Sequence, residues 1–163
     1  MNYLNLDPKR TEATVEQLNV LLADYHIYYQ KLRNFHWNVV GENFFDLHEK
    51  FEEMYNDTLI KIDEIAERIL TLRYQPVSHL SEYLKMANLK ESPSETADLE
   101  MIELLLEDHG KLLTQMRKTV NFADEGGDEG TIDLLGAYIR ELEKTSWMLD
   151  SWRMTKSETH KKS

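Results

Sequence analysis

Apolar residues recur every three or four positions over four long stretches of the chain, and no stretch shows the one-by-one alternation of a half-buried strand. The first stretch sets Val15, Leu18, Leu22, Tyr25, Tyr29, Leu32 and Phe35 along one side of a helix over residues 11–39, which Gly41 breaks. Asn43 stands where it can cap a second helix reaching residue 72, whose core stripe is Leu47, Phe51, Met54, Ile62, Ile65 and Ile69. Pro76 ends the stretch beyond that helix, and residues 79–88 read as a short helical piece inside a crossover. Ser92-Pro93-Ser94-Glu95 has the form of a capping box with proline at the first helical position. The third helix it introduces carries Leu99, Ile102, Leu105, Leu106, Leu112, Leu113 and Met116. Residues 124–130, DEGGDEG, read as a turn, and the fourth helix covers residues 131–152 with Ile132, Leu135, Ile139, Leu142 and Leu149. No predicted helix holds a proline in its interior. The pattern predicts an all-α fold, a four-helix bundle with a short extra helix in the crossover between helices two and three.

At 163 residues the chain is expected to form one domain, with the bundle over about 11–152, a short segment 1–10 before it and a polar tail 153–163 after it. The absence of cysteine removes disulfides, zinc–thiolate sites and thiol catalysis together. A formal net charge of −11 disfavours a broad DNA-binding surface and suits a protein that attracts cations. No apolar run approaches the roughly 20 residues needed to span a bilayer, and the first residues lack a basic-then-apolar leader pattern, so a cytoplasmic protein is expected, with no membrane partner.

The candidate chemistry lies in residues 34–67, which hold His36, His48, Glu52, Asp63 and Glu67. His48/Glu52 and Asp63/Glu67 are i,i+4 pairs, a spacing that puts two side chains one turn apart on one face. With His48 at zero on a wheel of about 100° per residue, Glu52 falls near 40°, Asp63 near 60° and Glu67 near 100°. The four thus share a flank with Leu59, Ala66 and Leu70, beside the core stripe. Lys50, Glu53, Asp57, Lys61, Glu64 and Arg68 fall on the face assigned to solvent. Imidazole with carboxylate and no thiolate suits a first-row divalent metal such as iron.

The axial spacing restricts how these groups can cooperate. His48 and Asp63 are separated by about 22 Å of helix at 1.5 Å per residue, too far to share one metal. The pairs His48/Glu67 and Glu52/Asp63 are nevertheless centred on one point, between Asp57 and Thr58. A two-fold axis crossing there sets Glu67 opposite the His48 of a second copy, and Asp63 opposite its Glu52. The numbering therefore favours metal sites between subunits. None of the six histidines has a glutamate three residues before it, so the Glu-x-x-His pattern of a di-iron site inside one bundle is missing. In so acidic a chain a single i,i+4 carboxylate pair is usually a solvated face, and His36 between Phe35 and Trp37 could be a packed side chain. Only the joint pattern favours a site.

NFHWNVVG, FFDLHEKFEEMY and DEIAER, in that order and spacing, with TSWMLDSW after them in the fourth helix, resemble the Dps family, the ferritin-like DNA-binding proteins from starved cells. The resemblance covers residues 11–152. It implies a ferritin-like bundle, a hollow dodecamer built from two-fold dimers, and oxidation of Fe(II), preferably by hydrogen peroxide, with storage of the ferric product. Protection against oxidative damage is part of that chemistry. By motif position, His36, His48 and Glu52 come from one subunit and Asp63 and Glu67 from its neighbour. Asp63, Glu67 and the neighbour's His36 would bind the first iron, and His48 and Glu52 a second iron or its bridging water; no organic cofactor is implied. The family usually carries Asp at the position of Glu52. Trp37 matches a family tryptophan that can donate an electron near the site, or it packs in an interface. Asp124, Glu129 and Asp133 match positions lining acidic three-fold pores for iron uptake; a helix start also favours acidic residues.

DNA binding in such proteins rests on cationic tails that neutralise phosphates. Here those are limited to Lys9 and Arg10 after Asp7 at the front, and Arg153, Lys156, Lys161 and Lys162 at the back, so only weak binding is expected. A nucleoid-compacting structural protein using these tails is the first alternative. A four-helix interaction module whose His and acidic groups are interface polar residues is the second.

Overall fold

The computed structural model describes residues 3–154 and consists of α1 (Pro8–Asn38), α2 (Phe44–Thr71), α3 (Leu80–Met86), α4 (Asp98–Gly126) and α5 (Glu129–Arg153). The lysines at 156, 161 and 162 lie outside the described residues. The four long helices and the short crossover helix stand where the apolar periodicity puts them. α1 begins three residues before the expected start at residue 11, because Asp7 accepts from the backbone N–H groups of Lys9 and Arg10 and Pro8 occupies the first turn. Gly41, at φ +104°, turns the chain between α1 and α2 in a conformation that a Cβ would strain.

Three sequence expectations about helix ends and turns need correction. The segment 92–95 is not a capping box, and α4 starts only at Asp98. The Asn34 amide donates to the carbonyls of Ser92 (2.9 Å) and Pro93 (3.3 Å), which holds that stretch as loop against α1. Asn43 occupies the cap position of α2, but its amide reaches across to Asp98 (2.7 Å) and makes no cap bond. The turn before α5 is far shorter than DEGGDEG suggests: α4 runs through Gly126, Gly127 closes it in the left-handed region at φ 67°, and α5 resumes at Glu129.

α1 is the central helix, packed against α2, α3 and α4. Leu21, Ala23, Asp24, Ile27, Tyr28 and Lys31 are therefore buried in addition to the predicted stripe. Burial on so many sides brings polar groups inside, and each finds a partner. Lys31 pairs with Asp108 of α4 at 2.5 Å. The carboxylate of Asp24 accepts from Asn88 and Leu89 where the crossover leaves α3, so α1 also organises the connection to α4. Tyr28 donates to His109 Nε2 at 2.7 Å, and His109 Nδ1 lies 2.7 Å from the Ser146 hydroxyl of α5. Ser146 spends its own proton on the Leu142 carbonyl, so it accepts from Nδ1–H and leaves Nε2 as the acceptor for Tyr28. Among the described residues no buried side-chain N or O lacks a hydrogen-bond partner.

The face of α2 assigned to solvent is partly enclosed by α5. Lys61 is buried, bound to Asp57 (2.6 Å) and to Glu141 of α5 (2.9 Å), while Thr58 takes a core position. Arg68 bonds Asp128 (2.5 Å) and the Thr131 hydroxyl (3.0 Å) at the α4–α5 turn. Periodicity misses this polar seam because it scores Lys and Arg as solvent residues, whereas their long apolar stems cover the gap between α2 and α5.

Burial pushes the His109 imidazole down from its ordinary 6.5 to about 3. Between those values the unfolded chain takes a proton that the folded chain refuses, so the neutral His109 contributes stability that is lost as pH falls below about 6.5. At fixed protein concentration, a change from pH 7 to pH 5 should destabilise the wild type by roughly 2 kcal/mol more than His109→Gln in urea unfolding. An equal loss in both would show that His109 is protonated inside the fold.

Candidate metal centre

The end of α1 and the start of α2 bring His36 and His48 together across the Gly41 turn. The two rings stack with centroids 3.8 Å apart. His36 Nδ1 donates to the His48 carbonyl at 2.7 Å, and His48 Nδ1 donates to the His36 carbonyl at 2.8 Å. A carbonyl only accepts, so each neutral ring must carry its proton on Nδ1 and a bare lone pair on Nε2. No described residue engages either Nε2. A backbone carbonyl on one ring nitrogen, orienting the other as donor atom, is the usual support of a metal-binding histidine.

The surroundings fix the rings further. Phe44 stacks on His48 (centroids 4.8 Å apart), and Tyr55 meets His36 edge-on at 5.3 Å. The Tyr55 hydroxyl lies 3.4 Å from Glu52, placing that carboxylate on the same side as the imidazoles. Tyr55 and Phe44 are members of this cluster that ligand chemistry alone does not single out. Their spacing was the available signal: Tyr55 comes three residues after Glu52 and Phe44 four before His48, so both share its flank.

Asp63 and Glu67 stand further along α2, exposed, on the flank the helical wheel assigned them. They join neither the histidines nor Glu52. Among the described residues of one chain, no three His, Asp or Glu side chains gather closely enough to hold a metal ion. Around Asp63 and Glu67 the same flank exposes Leu59 (50%), Ile60 (59%) and Leu70 (54%), a run of apolar side chains on one helix.

Trp37 is next to His36 in sequence but projects into a groove of about 680 Å³ between α1, α3 and the loop at 91–94. It is 57% exposed, and the Arg33 guanidinium lies 4.7 Å from its ring centre. Asp124, Glu129 and Asp133 lie on either side of the α4–α5 turn, all exposed. Glu129 sits in the first turn of α5, where the helix dipole favours it. Asp124 sits in the last turn of α4, where the dipole opposes a carboxylate and no basic residue offsets it. Helix energetics therefore account for Glu129 and not for Asp124.

A ferritin-like domain model matches residues 15–155. The DNA protection during starvation protein 2 of Bacillus anthracis is 44% identical over 139 residues, 85% of this chain and 94% of that protein. The crystal structure of a Dps protein from Vibrio cholerae O1, described as belonging to a broad superfamily of ferritin-like diiron-carboxylate proteins, superposes with a TM-score of 0.91. It has 44% identity and covers 94% of this chain and 97% of that one. A Dps protein from Bacillus brevis gives a TM-score of 0.88 at 38% identity, covering 90% and 98%. The chain belongs to the Dps family of ferritin-like proteins, iron-using homo-oligomers, and is a ferroxidase that stores iron.

Proposed function

We propose that two copies of the chain meet across the exposed flank of α2 and build two identical ferroxidase sites, each from both copies. The observation that carries this reading is the locked His36–His48 pair, with two bare Nε2 donors and only Glu52 nearby, while Asp63 and Glu67 lie on the same flank of α2 beyond its reach. A two-fold axis through the middle of α2 brings Asp63 and Glu67 of the second copy to those donors. It also covers Leu59, Ile60 and Leu70, which a lone chain leaves to water.

Each site then offers imidazole nitrogen and carboxylate oxygen to two Fe(II) ions, the substrate. His36 of one copy with Asp63 and Glu67 of the other takes the first iron; His48 and Glu52 take the second or its bridging water. Carboxylate oxygen is a hard ligand and favours Fe(III) over Fe(II), which lowers the cost of oxidation. The oxidant is hydrogen peroxide. It accepts two electrons, one from each iron, and two protons, so its O–O bond breaks to give two waters and no hydroxyl radical is released. Glu52 reaches one methylene further than an aspartate would, which sets the second iron's position. Trp37, next to His36 in sequence, is an auxiliary electron donor reached through the backbone, since its ring lies in the groove beside α3.

The assembly is a cytoplasmic dodecamer whose hollow interior receives the ferric product. Asp124, Glu129 and Asp133 gather around three-fold axes and focus Fe(II) inward. Arg68 holds that turn through Asp128 and is next to Glu67 in α2, so the uptake path and the site share one rigid element. DNA binds weakly at most, because the charge of −11 repels phosphate over the shell.

Metal-free protein given two Fe(II) per site without oxygen, then one peroxide, should develop ferric absorbance rapidly, and Asp63→Ala/Glu67→Ala should be slower by at least about 100-fold. Equal slow rates in both would sink the ferroxidase assignment of these residues. Replacing Asp124, Glu129 and Asp133 by Asn, Gln and Asn should slow iron loading several-fold at low salt and much less at high salt, where screening has already removed the attraction. A salt-independent rate identical to the wild type would assign uptake to another path.

A further inference from the structure

The bundle interior holds a second constellation suited to redox chemistry, away from the metal ligands. Tyr28 is fully buried, and its hydroxyl donates to His109 Nε2 at 2.7 Å. The other ring nitrogen of His109 is committed to Ser146, whose proton is committed to Leu142. The phenol thus faces a base whose only free lone pair points at it, inside a core that excludes water. A separate aromatic series on the neighbouring side of α1 leads to the iron site and is joined to Tyr28 through the helix backbone. Tyr29, the next residue in α1, lies 6.0 Å from Tyr55, and Tyr55 lies 5.3 Å from His36. On the other side Tyr25 lies 6.4 Å from Tyr28 and 6.4 Å from Tyr138.

We propose that Tyr28 and His109 form a redox-active pair that supplies one electron when peroxide meets a site holding a single Fe(II). The proposal rests on the ferroxidase reading. With one iron present, peroxide lacks its second electron, and a one-electron cleavage would release hydroxyl radical. Tyr28 provides the missing electron across the α1 backbone to Tyr29 and on through Tyr55, and its phenol proton crosses to His109 Nε2. The O–O bond breaks, two protons enter from solvent at the iron site, and two waters leave. The products are Fe(III), a neutral Tyr28 phenoxyl radical and an imidazolium at His109. The next Fe(II) returns an electron to Tyr28, which recovers its proton from His109.

The weak basicity of buried His109 does not prevent this step, because an oxidised phenol is a far stronger acid than an imidazolium whose pKa is about 3. Low basicity also returns the proton promptly after reduction. Other aromatic groups are less well equipped. Tyr25 faces only the Met116 sulfur at 3.8 Å, which takes no proton, and Trp37 is exposed under Arg33. Tyr55 faces Glu52, a group needed for iron.

The test is freeze-quench electron paramagnetic resonance on the assembled metal-free shell, loaded with one Fe(II) per site and then one peroxide. The wild type should give a tyrosyl radical signal that decays on adding more Fe(II). Tyr28→Phe should lose that signal and yield more spin-trapped hydroxyl radical, while oxidising iron at the wild-type rate when two Fe(II) per site are present. His109→Gln, which keeps a hydrogen-bond acceptor but no base, should reduce the signal several-fold. No tyrosyl signal in the wild type, or the same signal in Tyr28→Phe, would overturn the pair. If the wild type also fails to oxidise two Fe(II) per site, the ferroxidase reading falls and the proposal falls with it.

Discussion

Two imidazoles that bind each other's backbone tie the C-terminal end of α1 to the N-terminal part of α2. His36 and His48 each donate Nδ1–H to the other's carbonyl, and their rings stack between Phe44 and Tyr55. A helix end leaves its last carbonyls without intrahelical partners, and this exchange satisfies one of them with a side chain from the next helix. The hairpin angle, the Gly41 turn and the orientation of both Nε2 lone pairs depend on the same two hydrogen bonds. As the proposed metal donors, the two rings would act through the Nε2 atoms that these bonds leave free.

The rest of the bundle is held by a comparable use of polar groups in buried places. Asp24, Tyr28 and Lys31 all project from α1 into the interior and meet the crossover, α4 and, through His109 and Ser146, α5. Burial raises the carboxyl pKa of Asp24 and Asp108, while hydrogen bonds to Asn88 and Leu89 in one case and Lys31 in the other oppose it. Such groups add little net stability beyond an apolar core, but leaving any one unpartnered is costly. They therefore select one register of α1 against α4. The same register sets Tyr28 against His109 of α4.

How much the sequence disclosed depended on the kind of interaction. Long apolar periodicity gave all four long helices and the crossover helix, because burial of Leu18, Phe51, Ile102 or Leu135 depends on spacing alone. The central position of α1 did not show, since Leu21, Ile27 and Tyr28 are buried by helices distant in sequence. The misread start of α4 has the same origin: Ser92-Pro93 has the local chemistry of a cap, and Asn34, some sixty residues earlier, overrides it. Lys61 looked solvated until Glu141 supplied a partner. For the candidate site, the i,i+4 spacings put His48, Glu52, Asp63 and Glu67 along one flank of α2, and the two-fold centre they share belongs to the proposed dimer. The hydrogen bonds that fix the two imidazole tautomers join residues on either side of a turn, and no spacing rule contains them.

Mixed assembly of two inactive variants addresses the division of each site between copies most directly. One variant carries His36→Ala and His48→Ala, the other Asp63→Ala and Glu67→Ala. In a mixed dimer one site then loses all four groups and the other keeps every one. Random pairing makes half of the dimers mixed, so co-assembled protein should recover about a quarter of the wild-type rate of peroxide-driven iron oxidation. Either variant alone, or the two mixed without subunit exchange, should stay inactive. Verified mixed shells that remain as inactive as the separate variants would contradict a site shared between two copies.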